Sequence, residues 1–133
     1  MELAPVTIER LVQTARRAQE RAYAPYSNFP VGAAVLAEDG QVFPGCNVEN
    51  ASFGLTVCAE RNAVAAAVVA GTRPVAVAVV APGGRVAPCG ACRQVLAEFG
   101  AGMPVVLAGP EGQPPEVTSL EALLPAVFHL ERR

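Results

Sequence analysis

Lysine and tryptophan are missing from the 133-residue sequence, and histidine occurs once. All ten basic residues are arginines, and 12 acidic residues bring the net charge to −2. No arginine cluster is denser than Arg16-Arg17, so the sequence lacks the basic stripe typical of nucleic-acid-binding proteins. We therefore expect no nucleic acid partner. The single histidine, His129, lies outside every motif, so we expect neither a histidine base nor a histidine metal ligand.

Long hydrophobic runs are also missing. The longest, at 63–70 and 75–81, are far shorter than the roughly 18 residues that a membrane helix needs, so we expect no membrane partner. The first residues do not combine a basic region with an apolar stretch, which indicates a cytoplasmic protein. Without an export signal, four cysteines that include a Cys-x-x-Cys pair favour metal binding over a disulfide framework.

The length suits a single domain over residues 1–133, large enough to bury its own core. The hydrophobic fraction of 52% is high for a small monomer, which must leave much of its chain at the surface. Burial between subunits would accommodate the excess, so we expect an oligomer.

The hydrophobic pattern predicts an α/β protein with helices on both sides of a sheet. A helix capped by Thr7 is expected over 7–22, followed by two antiparallel strands at 31–37 and 42–48 with an Asp-Gly turn between them. Further elements are expected in near alternation: helix 58–70, strand 75–80, helix 92–99, strands 104–107 and 116–118, and a Ser119-capped turn of helix at 120–124.

Two short stretches, Cys-Ala-Glu at 58–60 and Pro-Cys-Gly-Ala-Cys-Arg-Gln at 88–94, carry three thiols and a carboxylate. Three protein ligands on a zinc ion leave the fourth tetrahedral position for water, which is typical of catalytic sites. Thiols at helix starts ionise readily because the helix dipole stabilises the thiolate. Glu60 lies about 200° around a helix from Cys58, so it is a poor fourth ligand but suits proton transfer. The pattern indicates a hydrolytic site.

These stretches resemble the signature of the zinc-dependent cytidine deaminases, in the small homotetrameric branch with three cysteine ligands. The resemblance spans roughly residues 23–100, and stretches 24–34 and 45–52 are similar to the family's substrate loops. It implies a three-layer α/β/α cytidine deaminase-like fold with a mixed, mainly five-stranded sheet. It also implies one zinc ion per subunit, with Cys58, Cys89 and Cys92 as ligands.

The resemblance further implies hydrolytic deamination of cytidine and deoxycytidine to uridine and deoxyuridine plus ammonia, a reaction of pyrimidine salvage. Zinc-bound hydroxide would attack C4 while Glu60 shuttles the protons. The expected assembly is a homotetramer with active sites at subunit interfaces.

Five residues are expected to bind substrate on the same grounds. Phe29 would lie against the pyrimidine ring, and Asn47 and Glu49 would bind the ribose 3′-hydroxyl. An amide and a carboxylate can donate to and accept from hydroxyls, and these two share one side if the strand continues. The remaining two are Ala59, inside the Cys-Ala-Glu motif, and Phe128, whose counterpart enters a neighbouring subunit's site.

Three thiolates and a zinc ion sum to a negative charge, which positive neighbours must offset. Arg61 and Arg93 each follow a ligand motif, and we expect them to donate hydrogen bonds to the sulfurs. The fourth cysteine, Cys46, is expected to be a buried small hydrophobe and not a ligand. Many family members have tyrosine where this chain has Phe53, so the hydrogen bond of that hydroxyl is lost here.

Three alternatives stay open. A non-enzymatic structural zinc module would close the site with a fourth protein ligand. A thiol-redox protein would use Cys89 and Cys92 alone. A deaminase of another cytosine nucleoside would share the motifs, although Asn47 and Glu49 favour a ribose or deoxyribose.

Overall fold

Helices and strands alternate after an N-terminal helix and a hairpin in the computed structural model, which describes residues 1–132. None of the helices in this range combines the length and apolar composition needed to span a bilayer. In chain order the elements are α1 (Pro5–Gln19), β1 (Gly32–Ala37), β2 (Val42–Cys46), a 3₁₀ helix (Phe53–Leu55), α2 (Ala59–Val69), β3 (Pro74–Val80), α3 (Gly90–Ala97), β4 (Pro104–Ala108), β5 (Glu116–Ser119) and α4 (Leu120–Leu123).

The five strands form one mixed sheet in the order β2-β1-β3-β4-β5. Strand β1 is antiparallel to both of its neighbours, as expected for the hairpin with β2. Strands β3 and β4 are parallel, since α3 carries the chain back between them, and β5 is antiparallel to β4. The predicted five-stranded mixed sheet is confirmed.

Separate apolar cores lie on the two faces of this sheet. Because side chains alternate along a strand, Ala33 and Val35 of β1 enter the core beneath α2 and α3, whereas Ala34 and Leu36 enter the core beneath α1. Strand β3 is apolar along its whole length because it contributes to both cores. This arrangement confirms the three-layer α/β/α prediction.

Helix α1 begins earlier than its sequence pattern predicts. Its N-cap is Ala4, which makes no side-chain capping bond, and Pro5 occupies the first helical position. Proline suits this position because its fixed φ is helical and its missing N–H has no intrahelical partner there. The predicted Thr7 cap is therefore wrong. At the other end of the chain the predicted cap is confirmed, since the Ser119 hydroxyl accepts from the Ala122 amide at 3.3 Å.

Strand β2 ends at Cys46, two residues before the predicted end of the strand. The Cys46 carbonyl accepts a hydrogen bond from the Asn62 side chain at 2.8 Å. Beyond it, Val48 forms isolated bridges to Tyr23 and Val57. The chain therefore leaves the sheet at Asn47 and runs between two loop segments.

Small residues let helix α2 lie directly against β2. A Cβ on Gly45 would overlap the Ala59 carbonyl and approach the Ala63 amide to 2.5 Å. Because these contacts are to backbone atoms in the first turns of α2, they fix where the N-terminus of that helix lies. The spacing between Gly45 and α2 thus sets the position of Cys58 and Glu60.

We predict that Gly45→Ala lowers the free energy of unfolding by about 1–3 kcal/mol, because the added methyl forces α2 away from the sheet. Gly102→Ala is the matched control, since a Cβ there meets no atom within 4 Å and the φ angle is not positive. Urea denaturation measures both variants. Equal midpoints for the two would contradict the proposed packing constraint.

Candidate metal centre and active site

Two helix N-termini meet at the cysteine cluster. Cys58 is the N-cap of α2 and Cys89 is the N-cap of α3, while Cys92 lies in the first turn of α3. The first N–H groups of a helix have no intrahelical acceptor and carry the positive end of the dipole. All three sulfurs therefore lie near the positive ends of helix dipoles.

The cluster has the dimensions of a zinc site. The Cys58 and Cys89 sulfurs are 3.9 Å apart, and those of Cys89 and Cys92 are 3.4 Å apart. All three Sγ atoms lie within 4.8 Å of one another. Sulfurs around a tetrahedral zinc ion with Zn–S bonds of about 2.3 Å are separated by about 3.8 Å. The donor chemistry and the spacing therefore both fit zinc.

Among residues 1–132 the fourth cysteine, Cys46, is not part of this group. It is half-buried, whereas the sequence predicted a buried side chain. The difference follows from the early end of β2, which places Cys46 at the margin of the sheet. Three protein ligands leave one tetrahedral position for a small molecule, as in catalytic zinc sites.

The thiols of the cluster differ in how readily they ionise. A hydrogen bond from Cys92 lowers the pKa of Cys58 to about 5, and donation from Arg61 adds to this effect. The pKa of Cys92 is raised well above its usual value, because its proton is held by Cys58 and because its side chain is buried. A divalent cation supplies the positive charge that ionisation of all three thiols requires.

Arg61 supplies a positive charge from the same helix as Cys58. Its Nη2 donates to the Cys58 sulfur at 3.5 Å and to the Thr56 carbonyl at 3.4 Å. These bonds agree with the predicted donation from Arg61 to a ligand sulfur.

Arg93 does not make the bond that its sequence position suggests. Its Nε donates to the Pro88 carbonyl at 2.7 Å, and its Nη1 donates to the Leu123 carbonyl at 2.6 Å. The expected donation to a sulfur is thus replaced by two bonds to carbonyls, because the end of α4 lies within reach of the guanidinium. Arg93 thereby ties the turn before Cys89 to the C-terminal helix.

Glu60 is buried, with only 4% of its surface exposed, although it follows the half-buried Cys58 by two residues. Burial raises the pKa of its carboxyl above the ordinary value, and the negative charge of Cys58 acts in the same direction while Arg61 opposes it. A carboxyl group with a raised pKa is suited to take up and release protons near neutral pH.

A cavity of about 380 Å³ opens beside the cysteine cluster. This volume lies within the usual range for small-molecule sites. The cavity brings together seven of the residues that the sequence nominated: Phe29, Asn47, Glu49, Cys58, Ala59, Glu60 and Cys89.

Asn47 and Glu49 bind the loop that carries Phe29. Asn47 accepts from the Val31 amide and donates to the Phe29 carbonyl, both at 2.9 Å. Glu49 accepts from the Tyr26 amide through Oε1 at 2.9 Å. Both side chains therefore shape the cavity wall as well as facing into the cavity.

The remaining predicted substrate residue, Phe128, does not line this cavity. Its side chain is 70% exposed, and its carbonyl accepts from Gln94 Nε2 at 3.3 Å. The expectation that Phe128 enters a neighbouring subunit's site stays a prediction.

Several cavity residues were missed by sequence reasoning. Thr56, Val86 and Ala87 line the cavity although no motif marked them. The position of Val86 and Ala87 in the sequence could have indicated them, because the segment that leads to Cys89 must pass beside the thiol cluster. Ser27, which also lines the cavity, belongs to a substrate-loop stretch but had received no role.

The layered sheet and the thiol cluster define a zinc-binding α/β protein, and comparisons with known proteins specify its family. A family model described as the cytidine and deoxycytidylate deaminase zinc-binding region matches residues 5–108. Cytidine deaminase from Sporosarcina psychrophila is 52% identical over 127 residues, covering 93% of each chain. That from Halalkalibacterium halodurans is 52% identical over 126 residues, covering 92% of this chain and 95% of the relative.

The fold agrees with these relatives. The crystal structure of cytidine deaminase from Burkholderia pseudomallei superposes with a TM-score of 0.84 at 54% identity, covering 90% of this chain and 98% of that chain. The chain therefore belongs to the cytidine deaminase family, and zinc is its metal.

We predict that the purified protein holds one zinc ion per chain. Replacement of Cys58, Cys89 or Cys92 by alanine should each remove the metal, because two thiolates do not complete the donor set. Cys46→Ala is the matched control and should keep full occupancy, since Cys46 lies outside the cluster. Elemental analysis of the four variants tests this. Full zinc content in Cys89→Ala would show that the ligands are misassigned.

Proposed function

We propose that this chain deaminates cytidine and deoxycytidine by hydrolysis, releasing uridine or deoxyuridine and ammonia. The observation that carries the proposal is the joint placement of the buried Glu60 carboxyl and the thiol cluster on one cavity. A purely structural zinc site would need neither a buried acid nor an adjoining cavity. The relatives named as cytidine deaminases support the choice of substrate.

Cys58, Cys89 and Cys92 would hold the zinc ion, which would supply the Lewis acidity that activates a water molecule. Glu60 takes the proton from the attacking water and delivers it to N3 of the cytosine ring. It then moves the proton of the new C4 hydroxyl to the exocyclic amine, so that the C4–N bond breaks, ammonia leaves and C4 keeps the oxygen as a carbonyl. The burial that raises the pKa of Glu60 favours this proton uptake. Arg61 offsets part of the negative charge of the thiolates through its bond to Cys58.

The base is proposed to lie against Phe29. Phe29 is 39% exposed and lines the cavity, so its ring is proposed to be available for stacking. Ala59, the first residue of α2, also lines the cavity, and its small side chain leaves room for the flat ring. The apolar side chains of Val31 and Val79 exclude water from the cavity around it.

The sugar is proposed to bind Asn47 and Glu49, and their hydrogen bonds limit what they can recognise. Asn47 uses one amide hydrogen and one carbonyl lone pair on the loop, which leaves one N–H and one lone pair. Glu49 receives three donors from the loop, at Tyr26 N, Ser27 N and Ser27 Oγ, which leaves about one of its four lone-pair positions. Together the two side chains leave one donor and about two acceptor positions, which suits a hydroxyl that both accepts and donates. This supports recognition of the 3′-hydroxyl, which cytidine and deoxycytidine share.

A homotetramer with active sites at its interfaces is proposed from the exposed apolar side chains. Phe53 is 77% exposed and Leu55 is 66% exposed, in the segment that leads to Cys58. Val69 at the end of α2 is 88% exposed. Large apolar side chains so exposed are typical of subunit contacts, and Phe53 and Leu55 lie in the segment next to the thiol cluster. Phe128 is proposed to enter the site of a neighbouring subunit.

The proposed setting is pyrimidine salvage in the cytoplasm, as one domain formed by residues 1–133. Three reduced thiols suit that compartment, where cellular reductants keep cysteines from forming disulfides. The single sheet shared by both cores supports one domain.

We predict that Glu60→Gln keeps zinc and the fold but lowers kcat by about 10²–10⁴-fold, because the amide cannot carry a proton. Glu121→Gln, on the exposed face of α4, is the control and should match the wild type. The loss of cytidine absorbance, the release of ammonia and the zinc content are measured for both variants and the wild type. Wild-type turnover in Glu60→Gln would remove Glu60 from the mechanism.

The activity itself is tested by incubating the zinc-loaded protein with cytidine and with deoxycytidine, before and after chelation. We expect both nucleosides to be deaminated and the activity to disappear with the metal. Bound zinc without deamination of either nucleoside would contradict the proposal and favour a structural zinc module.

We predict that light scattering of the purified protein gives four times the chain mass. Phe53→Ser should shift the assembly to smaller species, because an exposed aromatic ring contributes buried apolar area at an interface. The control is Val117→Ser, because Val117 is also an exposed apolar residue. Phe43→Ser does not serve as a control, because Phe43 packs against the core. A monomer in the wild type would overturn the tetramer.

A further inference from the structure

The hydroxyl of Ser27 connects two segments of the cavity wall. It donates a hydrogen bond to Glu49 Oε2 and accepts one from the Phe29 amide at 3.1 Å. The Ser27 amide also donates to Glu49 Oε1 at 3.2 Å. One serine therefore contacts both oxygens of the carboxylate that faces the sugar end of the cavity.

The local backbone explains how this serine reaches both partners. Asn28 adopts a left-handed conformation with φ of 54°, which asparagine tolerates better than most residues. This turn brings the Phe29 amide back to the hydroxyl two residues earlier, a bond common for serine in loops. Because that amide occupies a lone pair on Oγ, the Ser27 hydrogen is left to point at Glu49.

We propose that Ser27 is a positioning residue for substrate recognition, which holds the Glu49 carboxylate so that its one free lone-pair position meets the sugar hydroxyl. The inference rests on the proposed function, in which Asn47 and Glu49 bind the 3′-hydroxyl. Without the Ser27 hydroxyl, Oε2 loses its described partner, and the two backbone amides then hold the carboxylate through Oε1 alone.

The charge of Glu49 agrees with this role. The Ser27 hydrogen bond holds the pKa of Glu49 below its ordinary value, and the Tyr26 and Ser27 amides act in the same direction. The carboxylate therefore stays ionised as a strong acceptor, and hydrogen bonds to charged acceptors contribute more than bonds between neutral groups.

The test compares cytidine with 3′-deoxycytidine as substrates of the zinc-loaded wild type, Ser27→Ala and Ser27→Thr. In the wild type, kcat/KM should favour cytidine. In Ser27→Ala this preference should fall by about 10-fold, with kcat/KM for 3′-deoxycytidine changed less than about 2-fold, because only the hydroxyl contact is impaired. Ser27→Thr keeps a hydroxyl and should restore most of the preference.

Thr118→Ala is the control, since Thr118 lies in β5, at the edge of the sheet opposite β2, and does not line the cavity. Zinc content and melting temperature are measured for every variant. If Ser27→Ala does not fold, Ser27→Gly removes the same hydroxyl and replaces it in the comparison.

The outcomes separate the inference from the proposed function. A wild type that deaminates neither substrate contradicts the proposed function. A wild type without preference for cytidine removes the sugar role of Glu49, and the inference with it. A wild type that prefers cytidine, together with an unchanged preference in Ser27→Ala or an equal loss on both substrates, would overturn the role of Ser27 alone.

Discussion

Three sulfur atoms within 4.8 Å of one another are the constraint on which the site depends. They belong to two helices that start on the same face of one sheet, so the position of each helix start matters. The fit of α2 against Gly45 sets the first start, and Arg93 ties the turn before the second to the Leu123 carbonyl. Packing some distance from the cluster thereby determines whether its donors converge.

The same convergence produces opposite electrostatic environments within three consecutive residues. Cys58 is half-buried and receives hydrogen bonds, so its pKa falls to about 5. Glu60 is turned into the interior beside that charge, so the pKa of its carboxyl rises. A stabilised thiolate and a carboxyl group that can both take up and release a proton are two properties that metal-assisted hydrolysis needs from the protein.

The polar side chains on the opposite wall of the cavity form most of their hydrogen bonds with the protein backbone. Asn47 holds the backbone on both sides of Pro30, and Glu49 holds it at Tyr26 and Ser27. Most of their hydrogen-bonding capacity goes into ordering the loop that carries Phe29. What remains is one donor and about two acceptor positions, so the same hydrogen bonds that hold the wall in place limit what it can bind.

Sequence by itself determined the ligand types, the three-layer sheet and the family resemblance, because donor chemistry, short spacings and hydrophobic periodicity are local properties of the chain. It predicted the Arg61 bond to sulfur correctly, since a residue three positions away on a helix lies beside its partner. Only the tertiary structure decided the partners of Arg93, the end of β2 and the contacts of Ser27. A long side chain or a loop hydroxyl bonds to whichever segment packs next to it, and those segments, such as the carbonyl 30 residues from Arg93, are distant in the sequence.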